Sequence, residues 1–398
     1  MSVRKRKWRK PSGEIREAWV CEYTDAIGKR RRKTFTNKKA AEHFEAQARV
    51  DIKAGIFTAD SVSRTVAQAS VLWLKSCEQR GLEVTTIDSY RQSVNYHIVP
   101  LLGHQKLTQL SAPVIRQFED NLRDGSIDNK TRSSAMVRKI RASLSMILND
   151  AQERGLVNRN VVRELSARRM RGGEKRLESR HKGKLKVGVD IPLPAEISKI
   201  LLALESTNPR HRSVITTAIF SGLRASELRG LRWQDISFNR CEIEVKQRAD
   251  RYNKIGPLKS AAAERSVPMP PIAMNILRNW KLQCPKSKLA LVFPTRSGTV
   301  TQLSDIVNRG LKPAQVKASV LNADGKPKYS GMHALRHFFA SWCINRKTDG
   351  GLELPLKIVQ ERMGHSSIQM TADRYGHLFP RGDDHEELTV AEAILWSA

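Results

Sequence analysis

Residues 330–346 read Ser330-Gly-Met-His333-Ala-Leu-Arg336-His337-Phe-Phe-Ala-Ser-Trp-Cys-Ile-Asn345-Arg346. The apolar run after His337, with no Gly or Pro inside it, predicts a helix over 333–345. A spacing of three puts His333 and Arg336 on one side of that helix, where both can reach a single phosphate. His333 and His337 are also four apart, the spacing of a zinc-binding helix. Here the residues between them are Ala, Leu and Arg, so there is no glutamate to act as base and a cation sits between the two candidate ligands. A metal site is therefore not expected.

Other short stretches around this one carry chemistry. Upstream, Ser221-Gly-Leu-Arg224-Ala-Ser-Glu227-Leu228 closes one apolar helix and opens another, with Glu227 one turn beyond Arg224 and able to hold its guanidinium. Downstream, Met363-Gly364-His365-Ser-Ser ends a helix at Gly364 and presents His365 in the following turn. Ten residues later comes Tyr375, within Thr371-Ala-Asp-Arg374-Tyr375-Gly-His377. Taken singly, Arg224–Glu227 reads as a surface ion pair and Tyr375 as a packed aromatic.

The chain has 398 residues and a formal net charge of +30, which points to a polyanionic partner, most commonly nucleic acid. Ribosomal proteins share that property, so charge alone does not choose. No apolar run approaches the roughly 18–20 residues of a membrane span. The basic start, Met1 to Lys10, has no apolar segment behind it, so no secretory signal is expected. The five cysteines, Cys21, Cys77, Cys241, Cys284 and Cys343, are odd in number and far apart. A reduced cytoplasmic protein without a disulfide framework or zinc knuckle is expected.

Composition and periodicity divide the chain. Residues 1–60 hold 16 Lys/Arg and 8 Asp/Glu. Ala18 to Tyr23 alternates, Arg30 to Thr36 is extended, and a helix from Lys38 to Lys53 carries Ala41, Phe44 and Ala48 on one stripe. A small basic ββ(β)α domain follows from this. Residues 61–166 are helical throughout, with helices over 66–79, from a Thr85 cap to 98, from 111 to 125, and over 131–153, which form a compact bundle. Residues 167–190 form a basic linker, either lying along a phosphate backbone or solvated. A second globular region spans 191–382, with helices over 195–205, 212–220, 271–282, 333–345 and 356–363, and extended segments over 241–246 and 265–269. The expected class is multidomain α+β, mainly helical with small sheets. The tail, 383–398, has five acidic residues and no Lys or Arg; Leu388, Ala391, Ile394 and Leu395 would line a short helix.

In combination the motifs resemble the tyrosine recombinases, the phage-integrase family of site-specific DNA recombinases, over roughly residues 190–380. Arg224, then His333 and Arg336, then His365, then Tyr375 follow the family signature in order and approximate spacing. Gly256-Pro-Leu-Lys259-Ser, before Arg265-Ser-Val-Pro268, is similar to the family's β-hairpin with its catalytic lysine, with Lys254 close by in the same segment. Met363 stands where the family more often has Leu, a volume-conserving difference. The resemblance implies that Tyr375 attacks the scissile phosphorus and leaves a 3′-phosphotyrosyl bond. It implies that Arg224 and Arg336 grip the non-bridging oxygens and that Lys259 protonates the departing 5′-oxygen. His333 would be the base toward Tyr375, His365 a donor to the phosphate, and His337 a residue that supports the site from behind or packs. No metal or other cofactor is implied. The implied partners are double-stranded attachment sites (core and arm), three further copies in a tetramer on DNA, and DNA-bending or excision-directing proteins. The tail is expected to dock on a neighbouring subunit, with packing back on its own domain as the alternative. A type IB topoisomerase shares the chemistry, and a non-catalytic DNA-binding regulator could share the scaffold; the basic amino-terminal domain and the tail favour recombination over the first, and the full residue set speaks against the second.

Overall fold

Three antiparallel strands open the computed structural model: β1 (Ser2–Arg9), β2 (Ile15–Thr24) and β3 (Arg30–Phe35), with β2 central. The structure describes residues 1–9, 11, 14–24, 28–53, 63–125, 129–165, 184–379 and 384–396. They belong to two compact units, Met1–His181 and Lys182–Ala398. Strand β1 is nearly all Lys and Arg on the outside. It forms because its backbone pairs in register with β2, Val3 opposite Cys21 and Lys5 opposite Trp19. Helix α1 (Lys38–Lys53) covers the sheet, burying Ala41 and Ala48, and Phe44 packs against Tyr23 and Phe35 at 5.6 and 5.2 Å between ring centres.

The first unit also holds a helical bundle of α2 (Val66–Gln79), α3 (Val84–Ser93), α4 (Ala112–Asp124) and α5 (Ser134–Glu153). Thr65 and Gln68 cap α2 reciprocally. Thr85 is not the cap expected of it: α3 starts at Val84, with Glu83 in the capping position. Past Ser93 the helix runs through a π turn, Val94–Ile98, into Val99–Leu102. The cause is Pro100, which has no N–H to donate to the preceding turn. Leu107, Ile115, Phe118, Ile140, Leu144 and Ile147 form the bundle's dry centre. Each contributes about 1.5–3 kcal/mol by leaving water.

The second unit is built around α7 (Pro209–Ser221), a helix buried on nearly every side. Helix α6 (Pro194–Leu204) precedes it and the short α8 (Ala225–Gly230) follows. Strands β4 (Ile236–Ser237), β5 (Glu242–Val245) and β8 (Arg265–Pro268) make one antiparallel sheet; β6 (Gln247–Ala249) and β7 (Ile255–Pro257) make a separate hairpin. Helices α9 (Pro271–Gln283), α10 (Leu303–Asp305, Ile306–Leu311 and Lys312–Lys317 in succession) and α11 (His333–Ile344) pack on α7. Helix α10 was not expected, because Gly310 and Pro313 lie inside it. Its middle segment is again a π turn just ahead of a proline. Helices α12 (Leu356–Met363), α13 (Ile368–Tyr375) and α14 (Asp384–Trp396) complete the unit.

Of the expected linker, 167–183 lie outside the described residues. Residues 184–190 are part of the second unit: Leu185 packs on its core and its carbonyl accepts from His377 Nε2 at 2.8 Å. Among the described residues no helix is long and apolar enough to cross a membrane. In α14, Leu388, Leu395 and Trp396 are exposed.

Candidate active site

The site is assembled where three helix ends meet. Helix α7 stops at Gly222, whose φ is +59° and whose position would put an added Cβ 2.2 Å from the Phe339 ring of α11. Glycine is needed there on both counts. The turn delivers Arg224 to the start of α8, where its backbone N–H donates to Glu227 Oε2 at 2.9 Å and its Nη1 donates to Glu227 Oε1 at 2.7 Å. The carboxylate is buried and also accepts from Arg265 Nη2 at 2.9 Å. Burial by itself would raise the Glu227 pKa; the Arg265 and Arg224 cations outweigh it and hold the carboxyl below its usual range.

The second helix end belongs to α12. Its last carbonyls lack partners within the helix and form the negative end of its dipole. Three consecutive carbonyls there each accept from a different guanidinium: Arg362 from Arg265 Nε at 2.8 Å, Met363 from Arg336 Nη2, and Gly364 from Arg224 Nη2 at 2.9 Å. Arg336 lies 3% exposed and also donates to the Gly222 carbonyl. Burial, and then Arg224, push its pKa down to about 9, which leaves it cationic at neutral pH. Three cations thus share one carboxylate and a row of carbonyls, so the cluster keeps a net positive charge beside the half-open Arg224. Such a centre suits a bound anion.

The third end is that of α13, where Tyr375 is 1% exposed. Its ring stacks parallel to His365 with 6.3 Å between centres, and its hydroxyl shares a 2.8 Å hydrogen bond with His337 Nδ1. His365 Nδ1 pairs with Thr371 Oγ1 at 2.8 Å. Burial, followed by the Arg336 and Arg224 charges, pushes His365 down to about 4. Burial, then His333 and Arg374, does the same to His337. Both imidazoles are neutral at pH 7. Burial raises the Tyr375 phenol, opposed by Arg336 and Arg374.

Of the six expected residues, Arg224, Arg336, His365 and Tyr375 surround one position. His333 stands on the outer, exposed turn of α11, its ring edge-on to His337 at 5.0 Å. The contact with Tyr375 expected of His333 belongs to His337, which was expected to support the site from behind or to pack. Lys259 is exposed in the bend between β7 and β8, and Lys254 is in the hairpin turn; among the described residues neither bonds to the arginine cluster. Arg265 had appeared only as the start of a strand. Its role was invisible because its partners, Glu227 and Arg362, are 38 and 97 residues away. Among the described residues no group of three or more His, Cys, Asp or Glu could hold a metal ion.

Residues 193–381 match the model of the phage integrase family. A tyrosine recombinase XerC-like protein of Caldanaerobacter subterraneus subsp. tengcongensis is 24% identical over 383 residues, 90% of either chain. The ICEBs1 integrase of Bacillus subtilis is 24% identical over 329 residues, 80% of this chain and 81% of its own. Among solved structures, the Tn1549 transposon integrase in complex with a circular intermediate DNA superposes with a TM-score of 0.63 at 18% identity, covering 83% of this chain and all of that one. A lambda integrase tetramer bound to a Holliday junction gives 0.53 at 17%, covering 91% and 95%. Motif order, the arginine cluster and these likenesses agree: residues 193–381 form a domain of the phage integrase family, and the chain is a tyrosine-type site-specific recombinase.

Proposed function

We propose that this recombinase is the integrase of a prophage or other integrative element, cutting and rejoining double-stranded DNA at paired attachment sites. The observation that carries the reading is the buried Tyr375 hydroxyl beside a cluster of three guanidiniums with a single carboxylate among them. The scissile phosphate occupies the open side of Arg224, and Arg224 and Arg336 stabilise the charge that develops on its non-bridging oxygens. In the tautomer whose Nδ1 accepts from the Thr371 hydroxyl, His365 has its Nε2–H free to donate to the phosphate; His333, on the exposed turn, donates from the other side. Tyr375 Oη attacks phosphorus, and the 5′-oxygen leaves with a proton from Lys259, whose exposed bend closes on the DNA. The phosphotyrosyl bond preserves the energy of the broken phosphodiester, so a 5′-hydroxyl of a partner duplex reverses the step.

Four copies act together on core sites, the amino-terminal basic sheet holds arm sites, and α14 docks its exposed Leu388, Leu395 and Trp396 on a neighbouring copy. The lambda integrase tetramer supports this assembly, and the ICEBs1 and Tn1549 relatives support the mobile-element role. The deciding experiment uses a nicked suicide duplex from the junction of the element. Wild type should give a covalent adduct that survives SDS; Tyr375→Phe should bind the duplex equally well and give none. An adduct from the Phe variant would assign the nucleophile elsewhere.

A further inference from the structure

We propose that His337 is the general base that takes the proton from Tyr375, and that His333 is not. This rests on Tyr375 being the nucleophile. The carrying observation is the 2.8 Å bond between Tyr375 Oη and His337 Nδ1, in a site where the phenol is shut away from water. In its Nε2–H tautomer the neutral imidazole accepts at Nδ1, so the hydroxyl donates and its oxygen lone pairs are left free for the phosphorus. His333 makes its closest ring contact with His337, one turn inward on the same helix face, and presents its own ring to solvent.

The step balances without a co-reactant. The Oη–H proton passes to His337 Nδ1 as the Oη–P bond forms, and the P–O5′ bond breaks as Lys259 supplies a proton to the leaving oxygen. On rejoining, the imidazolium returns its proton to the departing phenolate while neutral Lys259 takes the proton of the attacking 5′-hydroxyl. The base is also gated by substrate. Burial and the charges of His333, Arg374 and Arg336 keep His337 a weak base in the free protein, with Asp190 opposing them. A bound phosphate brings negative charge against the arginines and offsets the part of that restraint that the guanidiniums impose.

The test uses the full-length chain and the suicide duplex. His337→Asn keeps an amide near the Nδ1 position, preserving the hydrogen bond while removing the proton acceptor. It should cleave roughly 10²–10³-fold more slowly than wild type with unchanged DNA affinity. His337→Gln should be equally slow, which guards against a local packing effect. Replacing Tyr375 by a fluorinated, more acidic tyrosine should recover at least about tenfold in His337→Asn and far less in wild type, because a more acidic phenol depends less on a base. Cleavage by His337→Asn within about threefold of wild type, faster cleavage, or no recovery with the acidic phenol would each overturn the assignment. Because Tyr375→Phe is scored separately by loss of the adduct, failure of the base is distinguishable from failure of the nucleophile.

Discussion

Arg265 shows how much of the site depends on a buried side chain. Its side chain is 5% exposed, and it bonds to Glu227, to the Arg362 carbonyl and to the Ala263 carbonyl. Only a planar fork reaches three partners at once. Arg265→Lys should slow cleavage about tenfold or more with DNA binding intact, and lower the urea stability of the second unit by about 2–3 kcal/mol; wild-type rates would show that Arg224 holds Glu227 without help. The histidines give a pH signature. His337 and His365 are depressed to about 4 in the folded state, against about 6.5 unfolded. Between those values the unfolded chain binds more protons, so the contribution is complete above about pH 6.5 and is lost as pH falls toward 4. Urea unfolding at pH 7 and pH 4.5 should show this loss, of order 1–3 kcal/mol per group, and His365→Asn should shrink it.

At the level of elements, the site is a convergence of helix ends: α7 supplies the turn before Arg224, α12 its terminal carbonyls, α13 its last residue. Gly222 is the tightest point of that arrangement. Gly222→Ala must strain a positive φ and also push Phe339 aside, at a cost of about 3 kcal/mol or more. Because Phe339 shares α11 with Arg336 and His337, cleavage should fall further than the melting temperature alone predicts. A variant as active as wild type would show that α11 can shift freely. A second device anchors the hairpin: buried Arg229 donates to the Thr301 and Asp250 carbonyls and to Asn253, fixing the β6–β7 turn that precedes Lys259.

Across the whole molecule the prediction concerns charge and the division of labour. With a net charge of +30, DNA affinity should drop about 10³-fold or more between 50 and 200 mM salt, as phosphate contacts release counterions; a flat response in filter-binding titrations would contradict extensive backbone contact. Removing residues 1–60 should leave cleavage of a core duplex near wild type while cutting integration between full attachment sites by tenfold or more. Equal integration by the truncated chain would remove the arm-site role from the basic sheet.

Much of this was legible in one dimension, because local patterns carry it. The amphipathic spacing of the bundle helices, the Lys38–Lys53 stripe, and the motif order from Arg224 to Tyr375 all arise from residues a few positions apart. Strand β1 was not marked, since a run of Lys and Arg has no alternation and forms only against β2. Helix α10 was hidden by Gly310 and Pro313, whose effect the chain absorbs in a π turn once α7 packs beside it. The exchange of His333 for His337 as the neighbour of Tyr375 was equally undecidable: both lie on one face of α11, and only the docking of α13 determines which imidazole meets the hydroxyl. Short-range periodicity therefore settled most of the elements and the chemical inventory of this recombinase. Burial and long-range contact alone decided which side chains touch, because hydrogen bonds form between groups the fold brings together, whatever their separation along the chain.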